Sequence, residues 1–170
     1  MTANKKKEID FLVVTGPTAT GKTKVAVDIA SKYSGEIISA DSRQIYKGMD
    51  IGTGKDLKEY CINDKKISYH LIDILNPKDN YSVYQFQRDF LSSYNQIKDR
   101  KNLPILCGGT GLYIESILLK YRLQNAPGPN QDLRESLQEK STEELLELFQ
   151  NMSPEKYQDP SKKDTKNRII

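Results

Sequence analysis

The chain has 170 residues, 36% hydrophobic and 29% charged, with 26 basic against 23 acidic side chains and a net charge of +3. That length can bury one core, and the small positive excess does not by itself argue for a nucleic-acid partner. Cys61 and Cys107 lack CxxC or histidine spacing, which argues against a disulfide framework or a zinc site. No apolar run approaches the roughly 18 residues of a membrane span, so the sequence reads as cytoplasmic with no membrane partner.

Residues 1–8 read as a disordered polar tail. Residues 9–15 (IDFLVVT) predict a first strand, buried on both faces if the sheet is parallel. Residues 22–33 place Val25, Ala26, Ile29 and Ala30 at helical spacing, and Gly35 is the expected stop. Residues 36–40 (EIISA) predict a second strand, followed by a long loop over 41–55 of the kind that tends to be functional. Residues 56–66 give no clear signal. Residues 68–75 (SYHLIDIL) predict another strand, closed by Asn76-Pro77. Val83, Phe86, Phe90, Tyr94 and Ile97 predict an amphipathic helix over 82–100. Residues 103–107 (LPILC) predict a short buried strand, and Thr110 caps a helix running to about Lys120. Strands alternating with helices argue for an α/β fold, a parallel sheet with right-handed crossovers. Beyond a linker-like stretch at 124–132, polar helical segments near 131–140, 142–151 and 153–158 look like the start of a helical insertion. The expected organisation is a tail (1–8), a P-loop α/β core (9–123) and a helical segment (124–170).

The stretch that carries chemistry is GPTATGKT at 16–23. Strand, glycine-punctuated turn, Gly-Lys-Thr and helix is the context in which a P-loop is credible. Gly16, Pro17, Thr18, Ala19, Thr20 and Gly21 would form a cradle of backbone N–H groups at a helix start, where the dipole favours an anion. Lys22 would add a point charge on a terminal phosphate, and the Thr23 hydroxyl can ligate Mg²⁺. A P-loop says phosphate and leaves the reaction open. The guanine-reading NKxD is absent, and Asp73 sits mid-strand, a poor Mg²⁺-holding acid for a motor or GTPase. A small-molecule kinase remains open. Asp41 comes directly after the second strand, where sites on open α/β sheets gather, yet Asp41 and Gln44 also have the spacing of a capping box. His70 reads as a satisfied structural histidine, and Phe86, Phe90 and Tyr113 as core.

Four further blocks come after the P-loop in order: residues 37–55 (IISADSRQIYKGMDIGTGK), 69–77 (YHLIDILNP), 81–89 (YSVYQFQRD) and 103–118 (LPILCGGTGLYIESIL). Together they resemble the tRNA dimethylallyltransferases, with a weaker echo in DTKNRII at 164–170. The resemblance implies a P-loop NTPase-like fold that holds dimethylallyl diphosphate rather than a nucleotide. It implies transfer of the dimethylallyl group to N6 of adenosine 37 in tRNA, next to the anticodon, with diphosphate leaving. Lys22 and Thr23 would then stabilise the departing diphosphate with Mg²⁺, and Asp41 would be the general base. Asp41, Ser42, Arg43, Gln44, Thr110, Arg134, Asn167 and Arg168 match tRNA-contacting positions. A monomer acting on the anticodon loop is implied. Family chains run well beyond this one, so the sequence reads as an N-terminal portion. An adenylate isopentenyltransferase is the related alternative, and a non-catalytic RNA- or nucleotide-binding fragment is another.

Overall fold

The computed structural model describes residues 9–55, 57–62, 64–123, 130–163 and 166. The tail at 1–8 and the predicted contacts Asn167 and Arg168 therefore lie outside the described residues. The chain forms two compact units, Met1–Gln124 and Asn125–Ile170.

The first unit is built on a four-stranded parallel sheet. Its strands are β1 (Leu12–Thr15), β2 (Gly35–Ser39), β5 (Tyr69–His70) and β6 (Leu103–Gly108), in the order β1-β6-β2-β5. The register pairs Thr15 with Gly108, Ser39 with Cys107, and Ile38 with His70. Alternation along the strands divides the core. Ile37, Ile105 and Cys107 face α1 (Lys22–Tyr33), which buries Ala26, Val27 and Ala30. Ile38 and Leu106 face the other way, onto Phe86, Phe90 and Ile97 of α2 (Val83–Asp99) and onto Tyr113 and Ile114 of α3 (Gly111–Leu118). Phe86 stacks on Tyr113 at 4.2 Å, so the predicted core aromatics are core.

Three expectations are corrected. β1 spans four residues rather than seven and is an edge strand, so its side chains are only half-buried and Ile9 is exposed. The left-handed cap of α1 is Ser34 (φ 51°), not Gly35. Gly35 opens β2, where an added Cβ would lie 2.8 Å from Ile105 Cδ1 and 3.1 Å from the Ala30 Cα. Of the strand predicted at 68–75, only Tyr69 and His70 join the ladder. Leu71 (φ 62°) and Asp73 (φ 56°) turn the chain away, and only Leu75 makes a further bridge, to Tyr46. The unassigned 56–66 region holds a 3-10 turn (Leu57–Tyr60) and a small antiparallel hairpin, β3 (Cys61–Ile62) with β4 (Lys65–Lys66).

The second unit contains α4 (Gln131–Gln138), α5 (Thr142–Met152) and α6 (Pro154–Tyr157). Ser141 and Glu144 form a capping box at the start of α5. Phe149 meets Tyr157 at 5.8 Å, and Lys166 Nζ donates to the carbonyls of Gln138 and Lys140. Among the described residues, no helix is long and apolar enough to cross a membrane.

One buried acid ties the lower edge of the sheet. Glu36 accepts a bidentate pair from Arg100 (2.7 and 2.8 Å) and a bond from Asn102 (2.8 Å), and His70 Nε2 lies 2.8 Å from its other oxygen. His70 is thus the satisfied structural residue expected. The Arg100 guanidinium, helped by Asn102 and His70, outweighs burial and holds the Glu36 carboxyl down to about 2. Because the folded value is depressed, its stabilisation is present above the ordinary value of 4.5 and drains away as pH falls toward 2. The whole effect is roughly 3 kcal/mol. Glu36→Gln is expected to be less stable by about 2 kcal/mol at neutral pH and to show a flattened acid limb, read from urea midpoints across that pH range.

Candidate active site

Parallel pairing puts the carboxyl ends of β1, β6 and β2 side by side. The segment after each strand is therefore delivered to one edge: the 16–23 loop after β1, Gly109 and Thr110 after β6, Asp41 after β2. The approach is close. An added Cβ at Gly108 would lie 2.3 Å from the Ala40 carbonyl oxygen, so only glycine fits. Ala40 is bonded on both sides, its N–H to the Cys107 carbonyl (2.8 Å) and its oxygen from the Thr110 N–H (3.0 Å).

The cradle's shape comes from its backbone. Ala19 (φ 62°) and Gly21 (φ 78°) both adopt the left-handed region, and alternation of this kind turns successive N–H groups toward one point. Gly21 is also the N-cap position of α1, with no side chain capping the helix, so the helix start is open to an anion. Thr20 Oγ1 and Lys22 Nζ both donate to the Pro17 carbonyl, at 2.8 and 2.5 Å. This holds the lysine across the mouth of its own loop.

Asp41 does not open a helix. Residues 42–45 form a turn, in which the Arg43 N–H donates to Asp41 Oδ1 at 2.9 Å and the Gln44 N–H to the Asp41 carbonyl at 3.2 Å. The capping-box reading is corrected accordingly. Gln44 does not reach back to Asp41; its Oε1 accepts from Ser39 Oγ (3.1 Å) and its Nε2 donates to the Gly54 carbonyl (3.2 Å). Thr110 occupies the N-cap position of α3, yet its hydroxyl makes no cap bond. It accepts from the Ser42 N–H at 2.9 Å and donates to Ser42 Oγ at 3.3 Å, clasping the Asp41 turn to the end of β6.

These parts enclose a cleft of about 490 Å³. Thr18, Ala19, Thr20, Gly21, Lys22 and Thr23 form one wall, and Asp41, Arg43, Gln44 and Thr110 stand on others. Gly16, Pro17 and Ser42 support the walls without lining them. Arg134 stands exposed on α4 of the second unit.

Outside the expected site residues, the cleft is also lined by Gly52, Thr53 and Gly54 of the long loop, Glu59 and Tyr60 of the 3-10 turn, and Cys107, Gly108 and Gly109. Burial pushes the Cys107 thiol up to about 11, with Lys22 pulling it down and Asp41 and Glu59 adding to the rise. It is therefore a protonated, nearly apolar part of the wall that feels both the lysine and the aspartate. Tyr60 is raised too, chiefly by burial. Behind the loop, Lys55 Nζ donates to the Tyr46 carbonyl (2.8 Å), Asp50 (3.1 Å) and Asp73 (2.5 Å), its side chain 1% exposed. Burial pulls its ammonium down, but the Asp73 and Asp50 carboxylates carry it above its ordinary range.

The donor set suits a hard cation shared with a substrate. Among the described residues there is no group of three His, Cys, Asp or Glu side chains placed to hold a metal by themselves. The Thr23 hydroxyl offers a hard oxygen at the cleft wall. Mg²⁺ takes one or two protein oxygens and completes its shell with phosphate oxygens and water, so the residues present fit it.

The family model of the IPP transferases matches residues 44–170. The chain is 56% identical over 142 residues to tRNA dimethylallyltransferase 2 of Bacteroides fragilis, covering 84% of this chain and 46% of that protein. It is 48% identical over 161 residues to tRNA dimethylallyltransferase 2 of Trichlorobacter lovleyi, covering 95% and 51%. Among solved structures it is similar to the full-length tRNA isopentenylpyrophosphate transferase of Bacillus halodurans, with a TM-score of 0.63, 34% identity and coverage of 95% and 53%. A eukaryotic dimethylallyltransferase acting on tRNA shares the fold at a TM-score of 0.77 and 21% identity, covering 94% and 39%. The chain spans about half the length of the curated relatives it matches. With its P-loop at the edge of a parallel sheet and its long match to the family model, this chain belongs to the IPP transferase family.

Proposed function

We propose that the chain serves the transfer of a dimethylallyl group from dimethylallyl diphosphate to N6 of adenosine 37 in tRNA. The observation that carries this reading is that the P-loop lysine and the Asp41 carboxylate face one cleft, in a chain of the IPP transferase family.

The reaction breaks the bond between C1 of the prenyl group and the diphosphate oxygen, and forms one from C1 to N6. Charge grows on the departing diphosphate, and the backbone N–H groups of residues 18–23, which line the cleft, would receive it. Lys22 exchanges its bond to the Pro17 carbonyl for one to a diphosphate oxygen. Mg²⁺ held at the Thr23 hydroxyl would supply further neutralisation of the leaving group. The adenine amine must also lose a proton, and Asp41 takes it. The Arg43 N–H fixes Asp41 Oδ1, which leaves Oδ2 to meet the amine. Arg43, Gln44 and Thr110, which line the same cleft as Asp41, and Ser42, which Thr110 clasps, would meet the anticodon loop; in the second part of the chain Arg134, Asn167 and Arg168 would be further tRNA contacts. Residues 124–170 would be a helical insertion serving the same RNA. In this reading the chain acts as a monomer. Two unpaired cysteines agree with a reducing, cytoplasmic setting.

Incubating the chain with dimethylallyl diphosphate, Mg²⁺ and unmodified tRNA is expected to yield N6-dimethylallyladenosine, detected by mass spectrometry after nuclease digestion. Product from free AMP instead would assign the adenylate branch, and phosphate transfer from ATP would assign a kinase. Asp41→Asn keeps the turn's geometry and removes the base. It is expected to cut turnover by roughly a thousandfold while the affinity for dimethylallyl diphosphate stays within about twofold. Retained turnover would remove Asp41 from the chemistry.

A further inference from the structure

Gly52, Thr53 and Gly54, at the end of the 48–54 stretch, line the cleft together with the P-loop. Gly48, Gly52 and Gly54 all hold left-handed conformations (φ 70°, 78° and 67°). A run with three such glycines has high intrinsic freedom, because each loses more conformational entropy on ordering than any other residue would. It becomes a wall only if something fixes it. Within the loop, Thr53 Oγ1 donates to the Met49 carbonyl at 2.6 Å. That closes the loop on itself without attaching it to anything else.

The attachment is Lys55. Its ammonium has three N–H groups and three acceptors: the Tyr46 carbonyl before the loop, Asp50 within it, and Asp73 on the neighbouring segment. The two segments it joins are themselves paired. The N–H groups of Ile74 and Leu75 bond to the Ile45 carbonyl, and that of Lys47 bonds to the Leu75 carbonyl. The Asp73 N–H donates to the Gln44 carbonyl at 3.1 Å, and Gln44 Nε2 in turn holds the Gly54 carbonyl next to Lys55. The bonds thus close a ring, from Lys55 through Asp73 and Gln44 to Gly54 and back along the chain. Inside that ring, Gln44 has both ends of its amide engaged, on Ser39 and on Gly54. Its place at the cleft depends on the loop, and the loop depends on the lysine.

The geometry points to Lys55 as a positioning residue: through the Asp73–Gln44–Gly54 ring it holds the loop wall and the Gln44 amide where the acceptor base must lie, without touching either substrate. This rests on the proposed RNA-prenylating function. The P-loop draws nothing from the ring, since its shape comes from its own backbone and from Pro17. Donor binding and acceptor binding should therefore separate.

Two probes are used on the whole chain: inorganic diphosphate with Mg²⁺, and an unmodified anticodon stem–loop RNA, each titrated by calorimetry. Lys55→Met is expected to weaken RNA binding by about tenfold or more, while diphosphate affinity stays within about twofold. Asp73→Asn, which preserves the side-chain shape, is expected to give the same split with a smaller loss and serves if Lys55→Met does not fold. Equal weakening of both ligands would mark Lys55 as a general support and overturn the assignment. Unchanged RNA binding in a folded variant would overturn it as well. If the unsubstituted chain binds diphosphate and not RNA, the proposed function itself fails and the inference falls with it.

Discussion

Gly108 and Ala40 approach one another so closely that no side chain fits between the ends of β6 and β2. The arrangement of the site derives from that contact. Three parallel strands ending at one level deliver three loops to one place, and each loop brings a different chemistry: backbone N–H groups after β1, a carboxylate after β2, a hydroxyl clasp after β6. Were β6 paired elsewhere, Asp41 and the P-loop would belong to separate surfaces. The core energetics serve this placement. Ile37, Ile38, Ile105 and Leu106 are buried between helices on both faces, and burial on this scale is what fixes a parallel register.

Much of the fold was legible because it rests on patterns internal to each segment. The 3.6-residue spacing of Val83, Phe86, Phe90, Tyr94 and Ile97 locates α2 to within a residue, and Ser82 with Gln85 forms its capping box. The P-loop was legible for the same reason, since its strand, turn and helix are contiguous. Legibility failed wherever a polar side chain had two possible partners, one near and one far. Asp41 and Gln44 have the spacing of a cap, yet no helix starts there, because Gln44 finds Ser39 and Gly54 instead. Thr110 stands where a cap should be and spends its hydroxyl on Ser42, 68 residues away. Spacing reports local partners only, and these were settled by the meeting of strand ends.

The same blindness hid Lys55. A lone lysine after Thr53 and Gly54 reads as a surface charge. A signal did exist in Asp73, an acid inside an otherwise apolar stretch, since a half-buried carboxylate calls for a cation nearby. Nothing in the sequence says which of 26 basic residues answers it. The strand predicted through residue 75 broke at that point. Leu71 and Asp73 take left-handed conformations, and the Asp73 carboxylate meets the lysine.

The two lysines of this region show how surroundings divide labour between identical side chains. Lys55 is saturated, each N–H given to a fixed oxygen and the stem buried, so it can neither move nor accept a ligand. Among the described residues, Lys22 gives one bond, to a carbonyl of its own loop. A neutral carbonyl is a weaker acceptor than a diphosphate oxygen, so an arriving anion displaces it at little cost. One ammonium is committed to three fixed oxygens, and the other, in the proposed reaction, would be held close to where charge must be met and released when it appears. The first makes the cleft a fixed shape. Under the proposed function, the second would let the site bind a leaving group more strongly as its charge grows, which is the condition for accelerating departure rather than merely holding the donor.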